Sequence, residues 1–127
     1  MSQEATDLYE LTREKIRIHI NARKSEEIIL TSGTTHSINL VANGFESVLK
    51  KGDELIVSEL EHHANIVPWH FLRERLGIEL KWVNIDDNGN LDPQSVIDAI
   101  DKKTKLVAIT HMSNVLGTIV DVKTICH

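Results

Sequence analysis

Three short polar stretches hold the residues that could do chemistry in this chain, and each suits a different task. Ser32-Gly33-Thr34-Thr35 is small, rich in hydroxyls, and opens directly onto a segment of helical spacing. A glycine lets the backbone come close to an anion, and the first N–H groups of a helix point at it with the positive end of the dipole. Two hydroxyls add donors, so the stretch suits a phosphate. The same residues also serve as a plain helix cap with no ligand, the commoner use of so short a pattern. The P-loop signature G-x-x-x-x-G-K-S/T and the dinucleotide signature G-x-G-x-x-G are both absent.

Glu61-His62-His63-Ala64-Asn65 concentrates imidazole in a second stretch. Imidazole exchanges protons near neutral pH, and its flat ring can stack on an aromatic cofactor. Loop histidines also bond to nearby backbone with no further role, and composition does not separate the two uses. A metal site drawn from His62, His63, His70 or His111 is the weakest reading. No H-E-x-x-H pair occurs, and the spacing from His63 to His70 is too long for one ion on an ordinary helix. The third stretch, Thr110-His111-Met112-Ser113-Asn114-Val115-Leu116-Gly117-Thr118, offers the Asn114 amide as a donor to a ligand oxygen, although asparagine is equally a turn residue. Cys126, the single cysteine, has apolar Val122 and Ile125 nearby and no base spaced to activate it, so it reads as structural or incidental.

The elements between these stretches set where they fall. An uninterrupted helical pattern runs from about Gln3 to Arg23, with Leu8, Leu11 and Ile18 to one side. Glu27–Thr31 reads as a first buried strand. Helical spacing returns at Ile38, Val41, Phe45 and Val48 and breaks at Lys51-Gly52-Asp53. A second strand, Glu54–Ser58, leads through the histidine loop to a helix over Trp69, Leu72 and Leu76 that stops at Gly77. A third strand, Glu79–Ile85, meets the turn formers Asp86-Asp87-Asn88-Gly89-Asn90. Asp92-Pro93 then reads as N-cap and first helical position, and a fourth strand spans Lys105–Thr110. Alternating strands and helices predict an α/β fold, a parallel sheet with flanking helices. In such a sheet ligands gather beyond the carboxyl ends of the strands, where the polar stretches lie. Four strands and an unfinished last helix would leave an unpaired edge, open to association.

Composition narrows the partners. Lys and Arg number 14 against 19 Asp and Glu, a net charge of −5, which gives no basic surface for nucleic acid or anionic lipid. Apolar residues make up 41% and charged residues 26%, an ordinary globular balance for one domain spanning 1–127. Apolar runs such as Leu106–Ile109 are too short to cross a bilayer, and the opening residues do not resemble a signal peptide, so the expected location is cytoplasmic.

Taken together, Gly33–Ala42, Glu61–Trp69 and Thr110–Thr118 resemble the cysteine desulfurases of the SUF type, in class V of the fold-type I aminotransferase superfamily. The resemblance runs from the first helix to Val122, with a short loop difference near Gly44–Lys51. It implies pyridoxal 5'-phosphate as cofactor and part of the large domain of a fold-type I transferase. Thr34 and Thr35 match positions that bind the cofactor phosphate. His62 matches the catalytic histidine that stacks on the pyridine ring and helps move protons, and Asn114 matches the amide donor to the phenolic oxygen. The implied reaction takes sulfur from L-cysteine, leaves L-alanine, and holds the sulfur as a persulfide on an enzyme cysteine. A sulfur-acceptor protein of the SUF system would then receive it, and the family is a homodimer.

The resemblance also implies an internal piece. The family's Asp for the pyridine nitrogen, a nearby Gln, the lysine that anchors the cofactor and the nucleophilic cysteine have no matching motif here. Lys105 and Lys123 lie outside the family's lysine motif. The expectation is a chain that lacks catalysis alone and keeps at most a weak phosphate affinity. Two alternatives stand beside it: a non-catalytic α/β remnant that binds a phosphate or a partner, and a sibling such as a selenocysteine lyase or cysteine-sulfinate desulfinase.

Overall fold

The computed structural model describes residues 3–126, in two compact units that divide between Gly33 and Thr34. The first unit is built on helix α1, Gln3–His19, whose face carries the pairs Glu10–Arg13 and Glu14–Arg17 at i,i+3 spacing. Arg13 reaches past its partner and donates to the carbonyls of Ser25 (2.6 Å) and Ile28 (3.1 Å), which draws the 3₁₀ turn Ser25–Glu27 back to the helix. Two expectations fail in this unit. The helix ends at His19 and not near Arg23, because Asn21 turns into the left-handed region (φ 57°), which asparagine tolerates better than most residues. The strand expected at Glu27–Thr31 is absent. Ile28 is extended (φ −97°, ψ 111°), but the stretch joins no ladder among the described residues. β-Branched composition favours an extended backbone, whereas a strand also needs a partner.

In the second unit, α2 spans Thr34–Phe45, β1 Glu54–Ser58, α3 Val67–Leu76, β2 Glu79–Val83, α4 Pro93–Ala99, β3 Thr104–Ala108 and α5 Val122–Ile125. The sheet is parallel, with order β2-β1-β3, so three of the four expected strands form and the second of them lies at the centre. All five residues of β1 are buried, as a strand with helices on both faces must be. Side chains alternate across a strand. Leu55 and Val57 therefore point to one face, where they join Ala42, Trp69, Leu72 and Ile78 from the α2 and α3 side. Ile56 points to the other, with Leu60, Val83, Leu91, Val96 and Val120, and half-buried Val122 and Ile125 of α5 pack there too.

The terminators follow the sequence closely. Gly77 closes α3 in the left-handed region (φ 71°), and its N–H donates to the Arg73 carbonyl at 2.9 Å. Asp92 caps α4 by accepting from Gln94 N at 3.0 Å, with Pro93 at the first helical position. Near the opening end of the sheet, Lys81 of β2 pairs with Glu54 of β1 and with Asp101 (2.7 Å) just before β3. The Lys81 ammonium, helped by the Lys103 N–H, holds the Asp101 carboxyl down to about 2. No helix among the described residues is long and apolar enough to cross a membrane.

Candidate active-site crevice

β1 and β3 are neighbours, yet their continuations part. The chain leaving β1 enters α3, which packs with Leu55 and Val57, while the chain leaving β3 reaches α5, which packs with Ile56. Adjacent strands whose connections go to opposite faces leave a crevice at their carboxyl ends, the usual ligand position in an open parallel sheet. A cavity of about 370 Å³ runs along β3 and past its carboxyl end, bounded by Thr34 and Ser37 of α2, by Glu61, Asn65 and Trp69, and by the chain from Leu106 to Thr110. A second depression, about 290 Å³, has Thr35 and Asn39 on one side and His62, His63 and Val67 on the other.

Thr34 and Thr35 are exposed at the first turn of α2, and each carries a hydroxyl there. With the dipole's positive end, this is a donor set fitted to a dianion. His62 is exposed, and its backbone (φ −71°, ψ 148°) caps the 3₁₀ turn His63–Asn65. Its Nδ1 accepts from Ala64 N at 3.1 Å, so in the neutral ring the proton sits on Nε2. His63 meets His62 edge to face, with ring centroids 6.2 Å apart.

Asn114 lines neither cavity. It lies exposed near the tip of the turn that follows β3, beside Val115, which is 81% accessible. That turn is organised by Ser113, buried to 3%, whose Oγ accepts from Val115 N (3.3 Å) and Leu116 N (3.2 Å). An antiparallel bridge between Met112 and Ile119 closes its base. The structure thus gathers Thr35 and His62 at one depression and Thr34 at the cavity beside it, and leaves Asn114 on a separate turn at the same end of the sheet. Among the described residues no three His, Cys, Asp or Glu side chains converge as a metal cage would require. Cys126 is exposed at the end of α5.

Sequence reading quoted Glu61 and Asn65 in their motif but gave them no task. The structure places the Glu61 carboxylate between both strands of the crevice. Its Oε1 accepts from Ser58 Oγ and from Thr110 N, each at 2.7 Å, and its Oε2 accepts from Asn65 Nδ2 at 2.7 Å. Asn65 Oδ1 in turn accepts from the indole N–H of Trp69 at 3.1 Å. The i,i+4 spacing of Glu61, Asn65 and Trp69 was the available signal. The bond to Thr110 was not, since it depends on strand order.

The fold and crevice define an α/β domain of the kind that binds its ligand at the carboxyl edge of a parallel sheet. Comparison with known proteins makes this specific. The model of the family "Aminotransferase class-V" matches residues 1–127, and the chain belongs to that family. A cysteine desulfurase of Escherichia fergusonii is 44% identical over 131 aligned positions, which cover 100% of this chain and 32% of the relative. The apo structure of cysteine desulfurase from Thermococcus onnurineus NA1 superposes with a TM-score of 0.90 at 42% identity, over 98% of this chain and 30% of that one. A C-DES variant with glycine covalently linked to its pyridoxal-phosphate cofactor shares the fold, with a TM-score of 0.84 at 21% identity over 98% of this chain and 32% of that one. This chain therefore spans about a third of the length of the proteins it matches, a partial fold-type I domain.

Proposed function

We propose that this chain supplies part of the cofactor site of a pyridoxal-phosphate-dependent cysteine desulfurase of the SUF type. The observation that carries the reading is the meeting of the α2 N-terminus with the exposed His62 ring at one depression beyond the sheet. Thr34 and Thr35 would hold the phosphate through their hydroxyls and the first amides of α2. His62 would lie against the pyridine ring and present its Nε2 proton to the reacting face. Asn114 would donate its amide to the phenolic oxygen. The cofactor, when bound, supplies an electron sink for carbon–sulfur cleavage.

In the whole protein the proposed reaction converts L-cysteine to L-alanine. A cysteine thiolate outside the three stretches takes the sulfur as a persulfide and gives it to an acceptor protein of the SUF system. A cytoplasmic homodimer is the proposed setting. The 127-residue chain itself is proposed to be inactive, because no lysine here stands in the family's anchoring motif. Titration of the chain with pyridoxal phosphate, followed by ³¹P resonance and by absorbance, tests the site. Weak, saturable phosphate binding that Thr35→Ala diminishes is the expected result, with no sulfide released from cysteine. Absence of phosphate binding by the folded chain would remove the anion-site assignment, and robust turnover would remove the claim of inactivity.

A further inference from the structure

We infer that Glu61 is the positioning residue of this site: its carboxylate fastens the ends of β1 and β3 to the turn that carries His62. The inference rests on the role proposed for His62, but its geometry does not depend on a cofactor. Glu61 and Asn65 flank His62 and are bonded to each other, so a side-chain strut spans the turn on which the imidazole sits. The main chain closes the same turn, with Asn65 N donating to His62 O at 2.8 Å. The other oxygen of the strut is tied to the sheet on two sides, through buried Ser58 and through Thr110 N.

The direction of these bonds is fixed chemically. An indole N–H can only donate, so Asn65 must turn its oxygen to Trp69 and its NH₂ toward residue 61. Ser58 Oγ is engaged as an acceptor from Leu60 N (3.3 Å) and gives its proton to Glu61. Thr110 N is a donor by nature. Residue 61 therefore faces three donors, and only an acceptor-only group satisfies them all. Trp69 is 2% exposed, so the chain of bonds is anchored in the core and its polarity is passed outward to the turn. There the Ala64 N–H is aimed at His62 Nδ1, which leaves Nε2–H as the outward proton. To take a proton at Nδ1, His62 must first give up that bond. Glu61 thus determines which imidazole nitrogen the site can use.

The test is made on the 127-residue chain without cofactor. Long-range ¹H–¹⁵N spectra of the His62 ring are expected to show one neutral tautomer, protonated at Nε2. In Glu61→Gln the carboxamide must set its NH₂ against a donor, and both tautomers should then appear. Hydrogen exchange at Ala64 N and Thr110 N should rise roughly tenfold or more, the loss of a charge-assisted bond. Adding Asn65→Asp to Glu61→Gln lets the glutamine NH₂ donate to one aspartate oxygen while the other still accepts from Trp69. The double variant should recover the single tautomer. A purely structural role would change the melting temperature without moving the tautomer. If Glu61→Gln does not fold, Asn65→Ala removes the strut across the turn while leaving Glu61 bonded to Ser58 and Thr110, and it should shift the tautomer in the same direction. An unchanged tautomer in the folded variants, or a double variant no better than the single, overturns the inference. Pyridoxal phosphate added to the unaltered chain then tests the cofactor reading separately, so either can fail alone.

Discussion

Replacing Ile56 by alanine should be as damaging as replacing its neighbour Leu55, and this equality tests the architecture beneath the crevice. Both side chains have no accessible surface, but they point to opposite faces of β1 and belong to different clusters. Truncation of a buried Leu or Ile to Ala costs about 2–5 kcal/mol, set by how far the surroundings collapse. A central strand has little room to do so, which places both variants near the middle of that range, about 3.5 kcal/mol. Urea denaturation of a domain this size has a slope of about 1–3 kcal/mol per molar. At a slope of about 2, the midpoint should fall by about 1.5–2 M for each variant. Lys105→Ala, on the exposed side of β3, should stay within about 0.5 kcal/mol and serves as the control. If Leu55→Ala costs several kcal/mol while Ile56→Ala costs less than about 1 kcal/mol, only one face of β1 is packed. The parting of α3 and α5 to opposite faces would then be wrong, and the reason for a crevice between β1 and β3 would go with it.

Two glycines should respond in opposite senses. Gly77→Ala forces a left-handed residue to carry a Cβ and should destabilise by about 1–2 kcal/mol, whereas Gly44→Ala, helical and with open space at the Cβ position, should stabilise by about 0.4–1 kcal/mol. Asp92→Ala removes the cap of α4 and should cost about 1 kcal/mol in the same urea assay, with Asp92→Asn nearly neutral. Acid should weaken the tie at the opening end of the sheet. The folded Asp101 carboxyl is depressed to about 2 from an ordinary 3.8, so its contribution is complete above pH 3.8 and disappears as the pH falls toward 2. Melting temperature followed from pH 5 to pH 2 should show this loss, and Asp101→Asn should flatten it. A variant with the same slope as the parent would show that other carboxyls dominate.

Local chemistry made much of the fold legible. The bounds of β1 were written by a β-branched run between Asp53 and a polar loop, the end of α3 by Gly77, and the start of α4 by Asp92-Pro93, because each depends on residues within one turn of the boundary. Glu27–Thr31 misled for the converse reason, since its pattern reports only the willingness to be extended and says nothing of a neighbouring strand. The sequence of α1 puts Leu8, Leu11 and Ile18 to one side, and no residue of that helix is buried. At the crevice, Thr34, Thr35 and His62 could be picked out by type, while the seating of Glu61 against Thr110 required knowing that β1 and β3 are adjacent. Asn114 shows the remaining gap, because a motif gives a residue's place in the chain but not where its turn points.

The central place of β1 also has a temporal consequence. Its partner in β2 begins at Glu79, but its partner in β3 begins at Thr104, 50 residues after Glu54. Ribosomes add about 5–20 residues per second, so roughly three to ten seconds pass between the emergence of β1 and that of its second neighbour. Throughout that interval one edge of Leu55-Ile56-Val57 has no strand beside it, and its unpaired N–H and C=O groups are offered to any other extended chain. The order in which this sheet is written therefore makes its best-buried strand the one most in need of protection during synthesis.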